Sequence, residues 1–385
     1  MRRVYLDNAA TTKVHPKVLE KMIPFLSDNF GNPSSIHSFG RKARVAIEEA
    51  RETIANFINA DASEIYFTSG GTEANNFVLN GISKTAFQEN GKRKIISNKA
   101  EHHAVLDTLE NLQHFGFNVN FLSVNKETKV EKEILSKEID EDTSLISVMH
   151  INNETGTINS IKEFSELVKE KEIYFHTDAV QSFGKIKIDV KELGVHSICG
   201  SAHKINGPKG VGFAFVKSGT PISPLLFGGS QERNRRGGTE NIAGIIGFAE
   251  AVKIKSEIME ESFHHVAKLK ERMIAGIKNL DAQNIFVNGG KDSLPYILSI
   301  TLNSQVYNND AESIIIYLDI NGIAASSGSA CTSGTIKASH VILASGYSPM
   351  DAAGTIRFSF GIENTEEDID YTLDVFSNLL KKFKK

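Results

Sequence analysis

Residues 65–81 read IYFTSGGTEANNFVLNG: a short apolar run, two glycines and a threonine, and then a segment with the apolar spacing of a helix. The same alternation of short apolar runs and longer amphipathic segments continues to about residue 220. Several of the runs are apolar on both faces, which is typical of strands in a sheet that is covered on both sides. The pattern therefore predicts an α/β domain with a large, mostly parallel sheet.

The expected elements can be assigned along the chain. The predicted strands of the large sheet are Ile65–Thr68, Lys94–Ser97, Val119–Val124, Leu145–His150, Ile173–Thr177 and Val211–Val216. The predicted helices between them are Thr72–Gly81, His103–Phe115, Glu131–Glu138 and Ile161–Lys171. From about residue 241 a long helix leads into a smaller α+β unit, with the expected elements Ile297–Leu302, Ala311–Asn321, Thr355–Phe360 and Thr365–Lys381. We expect a large domain over residues 13–255 and a small domain formed by residues 1–12 and 256–385.

Charge and cysteine content narrow the class of protein. The 385 residues include 43 Lys+Arg and 47 Asp+Glu, and the formal net charge is −4, which gives no electrostatic reason to expect nucleic acid or an anionic membrane as the main partner. The two cysteines, Cys199 and Cys331, are too few for a disulfide framework and favour a reducing compartment. An acid at Asp7 interrupts any signal-peptide core, and no apolar run is long enough to span a bilayer. We therefore expect a cytoplasmic protein.

A glycine-rich turn separates the first strand of this pattern from its helix. The turn lies in Thr68–Asn75, and its glycines allow the backbone to approach an anion closely. The exposed N–H groups of a first helical turn favour a phosphate group. The spacing matches neither the P-loop nor the dinucleotide fingerprint. A tight turn capped by Thr72 would explain the same residues equally well.

An aspartate and a lysine follow two further apolar strands. Asp178 would lie at the carboxyl edge of the sheet, where ligands bind in open α/β folds, although a helix N-cap is an equal alternative. Lys204 stands before the turn Gly207–Gly210, in surroundings too apolar and too constrained for a solvated surface lysine. Pyridoxal phosphate needs a lysine for its aldehyde, a carboxylate for its pyridine nitrogen and a cradle for its phosphate. The two residues and the glycine-rich turn predict this cofactor.

Nine motifs spread over essentially the whole chain are typical of one family. They are residues 5–12 (YLDNAATT), 30–35 (FGNPSS), 68–75 (TSGGTEAN), 101–102 (EH), 150–156 (HINNETG), 178–181 (DAVQ), 201–210 (SAHKINGPKG), 235–241 (RRGGTEN) and 326–333 (SSGSACTS). In these segments the sequence resembles the class V aminotransferase-fold enzymes, and within them the cysteine desulfurases of the NifS/IscS type. The resemblance implies the fold of the pyridoxal-phosphate-dependent transferases.

The resemblance also implies a role for individual residues at the cofactor, pyridoxal 5'-phosphate. Lys204 would bind the aldehyde, and Asp178 would keep the pyridine nitrogen protonated. His102 would stack on the ring and take part in acid–base chemistry, although a histidine that only caps a helix is the alternative. His103 beside it is expected to face elsewhere. The other implied contacts are Gln181 at the ring oxygen, Asn153 near the ring oxygen and the substrate, and Gly71, Thr72, Ser201, His203 and Thr239 at the phosphate.

The resemblance also implies which residues act on the substrate. Arg357 would bind the carboxylate of L-cysteine, for which a bidentate guanidinium is suited. Lys204 would move the Cα proton, and a thiolate at Cys331 would attack the substrate sulfur, which leaves a persulfide and releases L-alanine. In the family the threonine at position 239 comes from the partner subunit. The resemblance therefore implies a homodimer.

The two cysteines are expected to have different roles. Cys331 lies in a stretch of small residues with glycine, which predicts a loop. A loop suits a sulfur carrier, because the sulfur must reach an acceptor. The acceptor would be an iron–sulfur scaffold protein or a tRNA-thiolating enzyme. Cys199, on an apolar strand, is expected to be inert packing. No metal site, no direct nucleic-acid partner and no membrane partner is predicted.

Other functions remain compatible with part of the pattern. A selenocysteine lyase, or another pyridoxal-phosphate-dependent lyase or aminotransferase of the same fold, shares Asp178 and Lys204 but does not require Cys331. A binding protein that has lost the chemistry is disfavoured by the complete set of residues. Two departures from the family pattern qualify the resemblance: Ile362 replaces a frequent arginine, and the sequence stops at Lys385, before the segment with which IscS-type members dock their scaffold.

Overall fold

The computed structural model describes residues 2–327 and 338–385. Its strands are β1 (Val4–Tyr5), β2 (Ile65–Thr68), β3 (Lys94–Asn98), β4 (Asn118–Leu122), β5 (Thr143–Ser147), β6 (Tyr174–Asp178), β7 (Ser197–Ser201), β8 (Gly212–Val216), β9 (Ile285–Asn288), β10 (Ile297–Leu302), β11 (Ile323–Ala324) and β12 (Thr355–Ser359). Its helices are α1 (Pro16–Met22), α2 (Ser38–Phe57), α3 (Gly71–Asn90), α4 (His103–His114), α5 (Lys132–Glu138), α6 (Ile161–Ser165), α7 (Val190–Leu193), α8 (Gln231–Asn234), α9 (Ile242–Asp281), α10 (Ala311–Ile320), α11 (His340–Ala344), α12 (Pro349–Ala352) and α13 (Glu366–Phe383).

The large sheet has seven strands in the order β2-β8-β7-β6-β5-β3-β4. Only β8 opposes the others, because it pairs antiparallel with both β2 and β7. Neighbouring residues of one strand enter different apolar cores: Ile95 packs with the residues of α3 and α4, whereas Ile96 packs with those of α2 and α9. Side chains of successive strand residues face opposite sides of a sheet. The sheet is therefore covered on both faces, as its apolar runs predict.

The strand directions bring the candidate site residues together. The carboxyl ends of parallel strands meet at the same edge of a sheet. The segments that leave this edge carry Thr72 after β2, His102 after β3, Asn153 after β5 and Lys204 after β7, while Asp178 is the last residue of β6. Residues separated by more than a hundred positions in the chain thus become neighbours.

A second, smaller sheet of three antiparallel strands carries Arg357. Its order is β12-β10-β9. Arg357 on β12 is paired with Ser299 on the central strand β10. Its apolar residues form a core of their own with the second half of α9, for example Met273. The first half of α9 packs on the large sheet through Phe248. One helix of 40 residues therefore belongs to both cores.

The structure confirms most predicted elements, and it moves an end of three of them by three residues or more. The strand expected at Leu145–His150 ends at Ser147, although Val148 and His150 still donate backbone hydrogen bonds to β6. The helix expected at Thr72–Gly81 continues to Asn90. The helix expected at Ile161–Lys171 ends at Ser165, because from Leu167 onward the bonded amides reach three residues back rather than four. The expected boundary between residues 255 and 256 falls inside α9 and stays a prediction. Within residues 2–327 and 338–385, no helix combines the length and apolarity that a bilayer crossing requires.

Candidate active site

A cavity of about 400 Å³ opens at the carboxyl edge of the large sheet. Ten of the predicted site residues line it: Gly71, Thr72, His102, Asn153, Asp178, Gln181, Ser201, His203, Lys204 and Arg357. Thr239 is exposed and is not among the lining residues. Cys331 lies outside the described residues. The structure thus brings the predicted set together except for these two positions.

One end of the cavity is formed by the start of α3. The helix begins at Gly71, and its N-cap Gly70 supplies no side-chain cap for the first amides. A Cβ atom at Gly71 would lie 2.7 Å from Val180 Cγ2, so only glycine allows this close contact with the loop that follows Asp178. Uncapped amides at a helix start bind anions well. Ser201 and His203 line the cavity as well, which makes this end suitable for a phosphate.

Asp178 is held by two hydrogen bonds inside the protein. Its Oδ2 accepts a hydrogen bond of 2.7 Å from Asn75 Nδ2, and its Oδ1 accepts one of 2.9 Å from the Val180 amide. The residue is buried, yet it lines the cavity. A carboxylate has about four lone-pair directions. The remaining ones are available to a donor in the cavity.

Lys204 follows β7 at the end of a 3-10 turn, Ala202–Lys204. Its Nζ donates hydrogen bonds of 2.6 Å and 2.8 Å to the carbonyl oxygens of Ala9 and Ala10. Burial and the nearby Arg357 guanidinium lower the pKa of Lys204 to about 8. A desolvated amine of this kind is more readily neutral, and therefore more nucleophilic and more basic at neutral pH, than a surface lysine.

His102 is a helix cap and a cavity residue at the same time. Its Nδ1 accepts a hydrogen bond of 3.0 Å from the Ala104 amide at the start of α4. An accepting Nδ1 means that the proton of the neutral ring is on Nε2. Desolvation in the cavity lowers the pKa of His102, which favours this neutral ring. Of the two interpretations of His102, the cap on α4 is confirmed. His102 also lines the cavity, and its stacking on the cofactor ring and its acid–base role stay predictions.

Arg357 also lines the cavity. Its Nη2 donates to Asp7 Oδ1 at 2.8 Å, and its Nη1 donates to the Asn153 carbonyl oxygen at 3.0 Å. Its Nε and the Asn153 Oδ1 atom are buried and have no hydrogen-bond partner among the described residues. Unpartnered buried polar atoms are costly. A ligand with a carboxylate and a polar group near Asn153 would satisfy both.

Comparison with known proteins agrees with this arrangement. The model of the aminotransferase class-V family matches residues 4–372. A protein of Dictyoglomus turgidum named cysteine desulfurase IscS is 46% identical over all of this chain and 96% of its own. A solved NifS-like protein is 38% identical, with a TM-score of 0.91 over 99% of this chain and 100% of its own. A structure described as SspA in complex with cysteine is 33% identical, with a TM-score of 0.82 over 94% of this chain and 100% of its own.

The chain belongs to the class V aminotransferases, and within them to the cysteine desulfurases. Enzymes of this family depend on pyridoxal 5'-phosphate. The cavity fits that cofactor on its own chemistry. It has an amine of lowered pKa in Lys204, a buried carboxylate with free lone pairs in Asp178, and uncapped amides at the start of α3. Asn153 lines the same cavity, and its Oδ1 has no hydrogen-bond partner within residues 2–327 and 338–385.

The structure of this class V enzyme corrects one expectation and adds residues that sequence reasoning missed. His103 does not face away from the site: it lines the cavity, and its ring centroid lies 4.7 Å from that of His340. His340 in turn hydrogen-bonds the Glu101 carbonyl oxygen at 2.9 Å. Asn75, at the first turns of α3, lines the cavity as well. Asn75 stands in a recognised motif, but no sequence signal pairs His103 with a residue 237 positions later.

Cys199 behaves as expected of packing. It is fully buried on β7 within the core that faces α3 and α4. Burial and the Asp178 charge raise the pKa of its thiol well above the usual range. A thiol that stays protonated is a poor nucleophile. Cys199 is therefore unsuited to carry sulfur.

Proposed function

We propose that this enzyme transfers the sulfur of L-cysteine to Cys331, releases L-alanine, and passes the sulfur on to an acceptor. The single observation that supports it is that one cavity contains Lys204, Asp178 and Arg357. A chain with this cavity can bind an amino-acid carboxylate and move a proton next to it. The sequence around Cys331 supplies the thiol that a desulfurase needs.

The balance of the reaction is simple. The Cβ–S bond of the substrate breaks, a bond forms between the substrate sulfur and Cys331 Sγ, and Cβ gains a proton. The products are L-alanine and a persulfide, so no external oxidant or reductant is needed. When bound, pyridoxal phosphate supplies the electron sink that stabilises negative charge at the substrate Cα.

Each described residue has a defined task in this reaction. Arg357 binds the substrate carboxylate, and its unpartnered Nε offers an additional donor. Lys204 takes the Cα proton, because its lowered pKa leaves a neutral fraction near pH 8. Asp178 would accept a hydrogen bond from the pyridine nitrogen of the bound cofactor. His102 presents Nε2–H at the wall of the cavity and can move a proton at the substrate.

We further propose that the enzyme is a cytoplasmic homodimer in which Thr239 completes the partner's phosphate site. Thr239 is exposed and absent from the lining of the cavity described above. Several large apolar side chains are exposed as well, including Phe30 and Phe227. Mixed dimers of Lys204→Ala and Thr239→Ala subunits test this arrangement. If Thr239 acts across the interface, one site in each mixed dimer is intact and activity returns on mixing, whereas action within one subunit predicts no recovery.

The decisive experiment for sulfur transfer is mass spectrometry of the holoenzyme after treatment with L-cysteine. We expect one added sulfur atom on the peptide that contains Cys331 and none on the peptide that contains Cys199. Cys331→Ser should keep the bound cofactor and lose sulfide release, and Cys199→Ala is the matched control that keeps both. Full activity of Cys331→Ser would contradict the proposal and favour a direct lyase.

The same persulfide identifies the acceptor. An iron–sulfur scaffold protein or a tRNA-thiolating enzyme, added to the loaded holoenzyme, should remove the extra sulfur if it is the physiological acceptor. The rate of removal, compared between candidates at equal concentration, ranks them. A loaded enzyme that gives its sulfur to neither class would contradict both acceptor assignments.

A further inference from the structure

Behind Asp178 lies a chain of buried hydrogen bonds that leads away from the cavity. Asn75 Nδ2 is 2.7 Å from Asp178 Oδ2, and Asn75 Oδ1 is 2.9 Å from His176 Nε2. His176 Nδ1 is 3.0 Å from Ser197 Oγ. Asn75, His176 and Ser197 are fully buried. Three different elements, α3, β6 and β7, therefore meet in one polar line inside an apolar core.

The chemistry of the four groups gives the chain one direction. An ionised carboxylate only accepts hydrogen bonds, so the Asn75 amide nitrogen must donate to Asp178. The Asn75 carbonyl oxygen then faces His176 and must accept from its Nε2–H. Burial lowers the pKa of His176 to about 4, so the ring is neutral near pH 7 and its Nδ1 accepts from the Ser197 hydroxyl.

The chain also prevents rotation of the Asn75 amide. Turning the amide over would place its carbonyl oxygen against the Asp178 carboxylate and its amino group against the His176 Nε2–H. Both contacts are repulsive, and buried unpaired polar groups are costly. His176 thus keeps Asn75 in its donating orientation, and the Ser197 hydroxyl supplies the hydrogen bond that the buried His176 Nδ1 needs.

We propose that Asn75, His176 and Ser197 are positioning residues that hold Asp178 as an oriented acceptor for the pyridine nitrogen of the cofactor. The inference rests on the assignment of Asp178 to that nitrogen. The donor on Oδ2 satisfies one lone pair of a buried carboxylate. The same donor fixes the carboxylate plane, which leaves the remaining lone pairs directed at the cavity.

A purely structural role makes a different prediction. If the three residues only satisfied one another, their loss would lower the stability of the fold without changing how the cofactor is held. Thr177 offers a matched control, because it is fully buried between His176 and Asp178 on the same strand. Its Oγ1 has no hydrogen-bond partner among the described residues. Thr177→Val therefore disturbs the same strand without touching the chain of hydrogen bonds.

The test measures the dissociation constant of pyridoxal phosphate for each apoenzyme and the absorption spectrum of the bound cofactor, with no L-cysteine present. We expect Asn75→Ala to weaken cofactor binding by about tenfold to a hundredfold, the range for a hydrogen bond to a charged group. His176→Leu should have a smaller effect of the same sign and change the spectrum. His176→Gln should stay near the wild type, because its amide can still donate to Asn75. Thr177→Val should match the wild type.

The proposal is overturned if Asn75→Ala and His176→Leu bind the cofactor as tightly as Thr177→Val and give the same spectrum. Far-UV circular dichroism of each apoenzyme separates loss of fold from loss of positioning. Should Asn75→Ala fail to fold, the pair His176→Leu and His176→Gln decides, and equal constants and spectra for these two would overturn the proposal. Because no substrate is added, failure of the desulfurase assignment leaves this result unaffected.

Discussion

Arg357 and Asp7, 350 positions apart in the chain, form a salt bridge of 2.8 Å at the wall of the cavity. The Arg357 side chain is almost completely buried, and the Asp7 carboxylate is partly exposed. A buried guanidinium needs a counter-charge, because its desolvation is costly. Asp7 therefore keeps Arg357 in place before any carboxylate arrives, and it lies near Lys204 as well.

The first prediction concerns Asp7→Asn. The asparagine oxygen can still accept from Arg357, so the main change is the loss of one negative charge. The Asp7 charge raises the pKa of Lys204, and its removal should move that pKa below about 8. Lys204 must be neutral to bind the cofactor aldehyde, so the apoenzyme should capture pyridoxal phosphate faster at pH 7. The rate of capture is measured as a function of pH, and the midpoint of this profile reports the pKa of Lys204. Lys204→Ala is the control, because it does not form the covalent link. A midpoint that rises would contradict the prediction.

Glu101→Gln should remove a pH-dependent penalty on stability. Glu101 is completely buried, and this burial raises its pKa from 4.5 to about 8, even though Oε1 accepts hydrogen bonds from the Met149 amide and Asn98. Between these values the folded state holds a proton that the unfolded state has released, so the wild type loses stability as the pH rises from 5 to 8. The glutamine keeps both accepted bonds and does not titrate.

The measurement for Glu101→Gln is chemical denaturation of both apoenzymes at pH 5 and pH 8. At each pH the free energy of unfolding of the wild type is subtracted from that of the variant. This difference should be larger at pH 8 than at pH 5 by a few kcal/mol, on the order given by linkage. A difference that is constant over this range would show that Glu101 is ionised in the folded protein.

Lys185→Met should stabilise the protein, and this effect should grow as the pH falls, opposite to the pH dependence for Glu101→Gln. Lys185 is buried and donates a hydrogen bond of 2.7 Å to Gln181 Oε1. Burial, with the charges of Lys204, Lys255 and Arg357, lowers its pKa well below the usual range. The unfolded state therefore binds more protons, and wild-type stability falls as the pH drops from about 10. Methionine avoids this loss, so its stabilising effect should be larger at pH 7 than near pH 10.

Lys185→Met should also affect cofactor binding, through the orientation of the Gln181 amide. Gln181 Nε2 donates to the Ala9 carbonyl oxygen, which also accepts from Lys204. Without Lys185 the Gln181 amide loses the donor that fixes its orientation, and cofactor binding should weaken although the apoenzyme is more stable. Unfolding midpoints at the two pH values and the cofactor dissociation constant test both parts. Weaker binding together with lower stability at pH 7 would contradict this prediction.

The fourth prediction concerns the buried pair Arg51–Glu232. The two side chains make hydrogen bonds of 2.7 Å and 2.8 Å, and Glu232 Oε2 also accepts from the Phe67 amide. Glu232 and the next two residues have φ of 45°, 57° and 63°, a left-handed run without glycine that this pair helps to hold. Arg51→Met leaves a buried carboxylate unpaired and should cost about 3–5 kcal/mol.

The double variant Arg51→Met with Glu232→Leu distinguishes charge from shape. It removes both charges, so it should unfold at a higher temperature than Arg51→Met alone. The segment that carries Thr239 begins directly after the left-handed run, and we expect the double variant to bind the cofactor more weakly than the wild type. Thermal unfolding and cofactor titration measure the two effects. A double variant less stable than the single one would mean that the pair contributes mainly through its hydrogen bonds.

Local patterns in the sequence predict the large sheet well, since a strand such as Ile65–Thr68 and the glycines after it depend on neighbouring residues only. The strand order then places Thr72, Asp178 and Lys204 together by a general property of parallel sheets. Pairs such as Arg357 with Asp7 follow from the packing of the small sheet against the first residues of the chain, and no local periodicity encodes that packing.

The same limit explains the side-chain orientations that the sequence did not reveal. His103 follows His102 in the chain, and one residue on a helix turns the side chain by about 100°. That rotation predicts a residue outside the site, yet His103 lines the cavity and His340 packs against its ring. Likewise Asn75 is visible in its motif, but its hydrogen bond to Asp178 depends on the distance between α3 and β6.

The continuous helix α9 connects the two parts of the enzyme that carry Lys204 and Arg357. Its 40 residues span about 60 Å, and its first half packs in the large core while its second half packs in the small core. A bend of about 5° at its middle displaces the far end by about 3 Å, which is the length of a hydrogen bond. One continuous helix thereby joins the core beside Lys204 to the core beside Arg357.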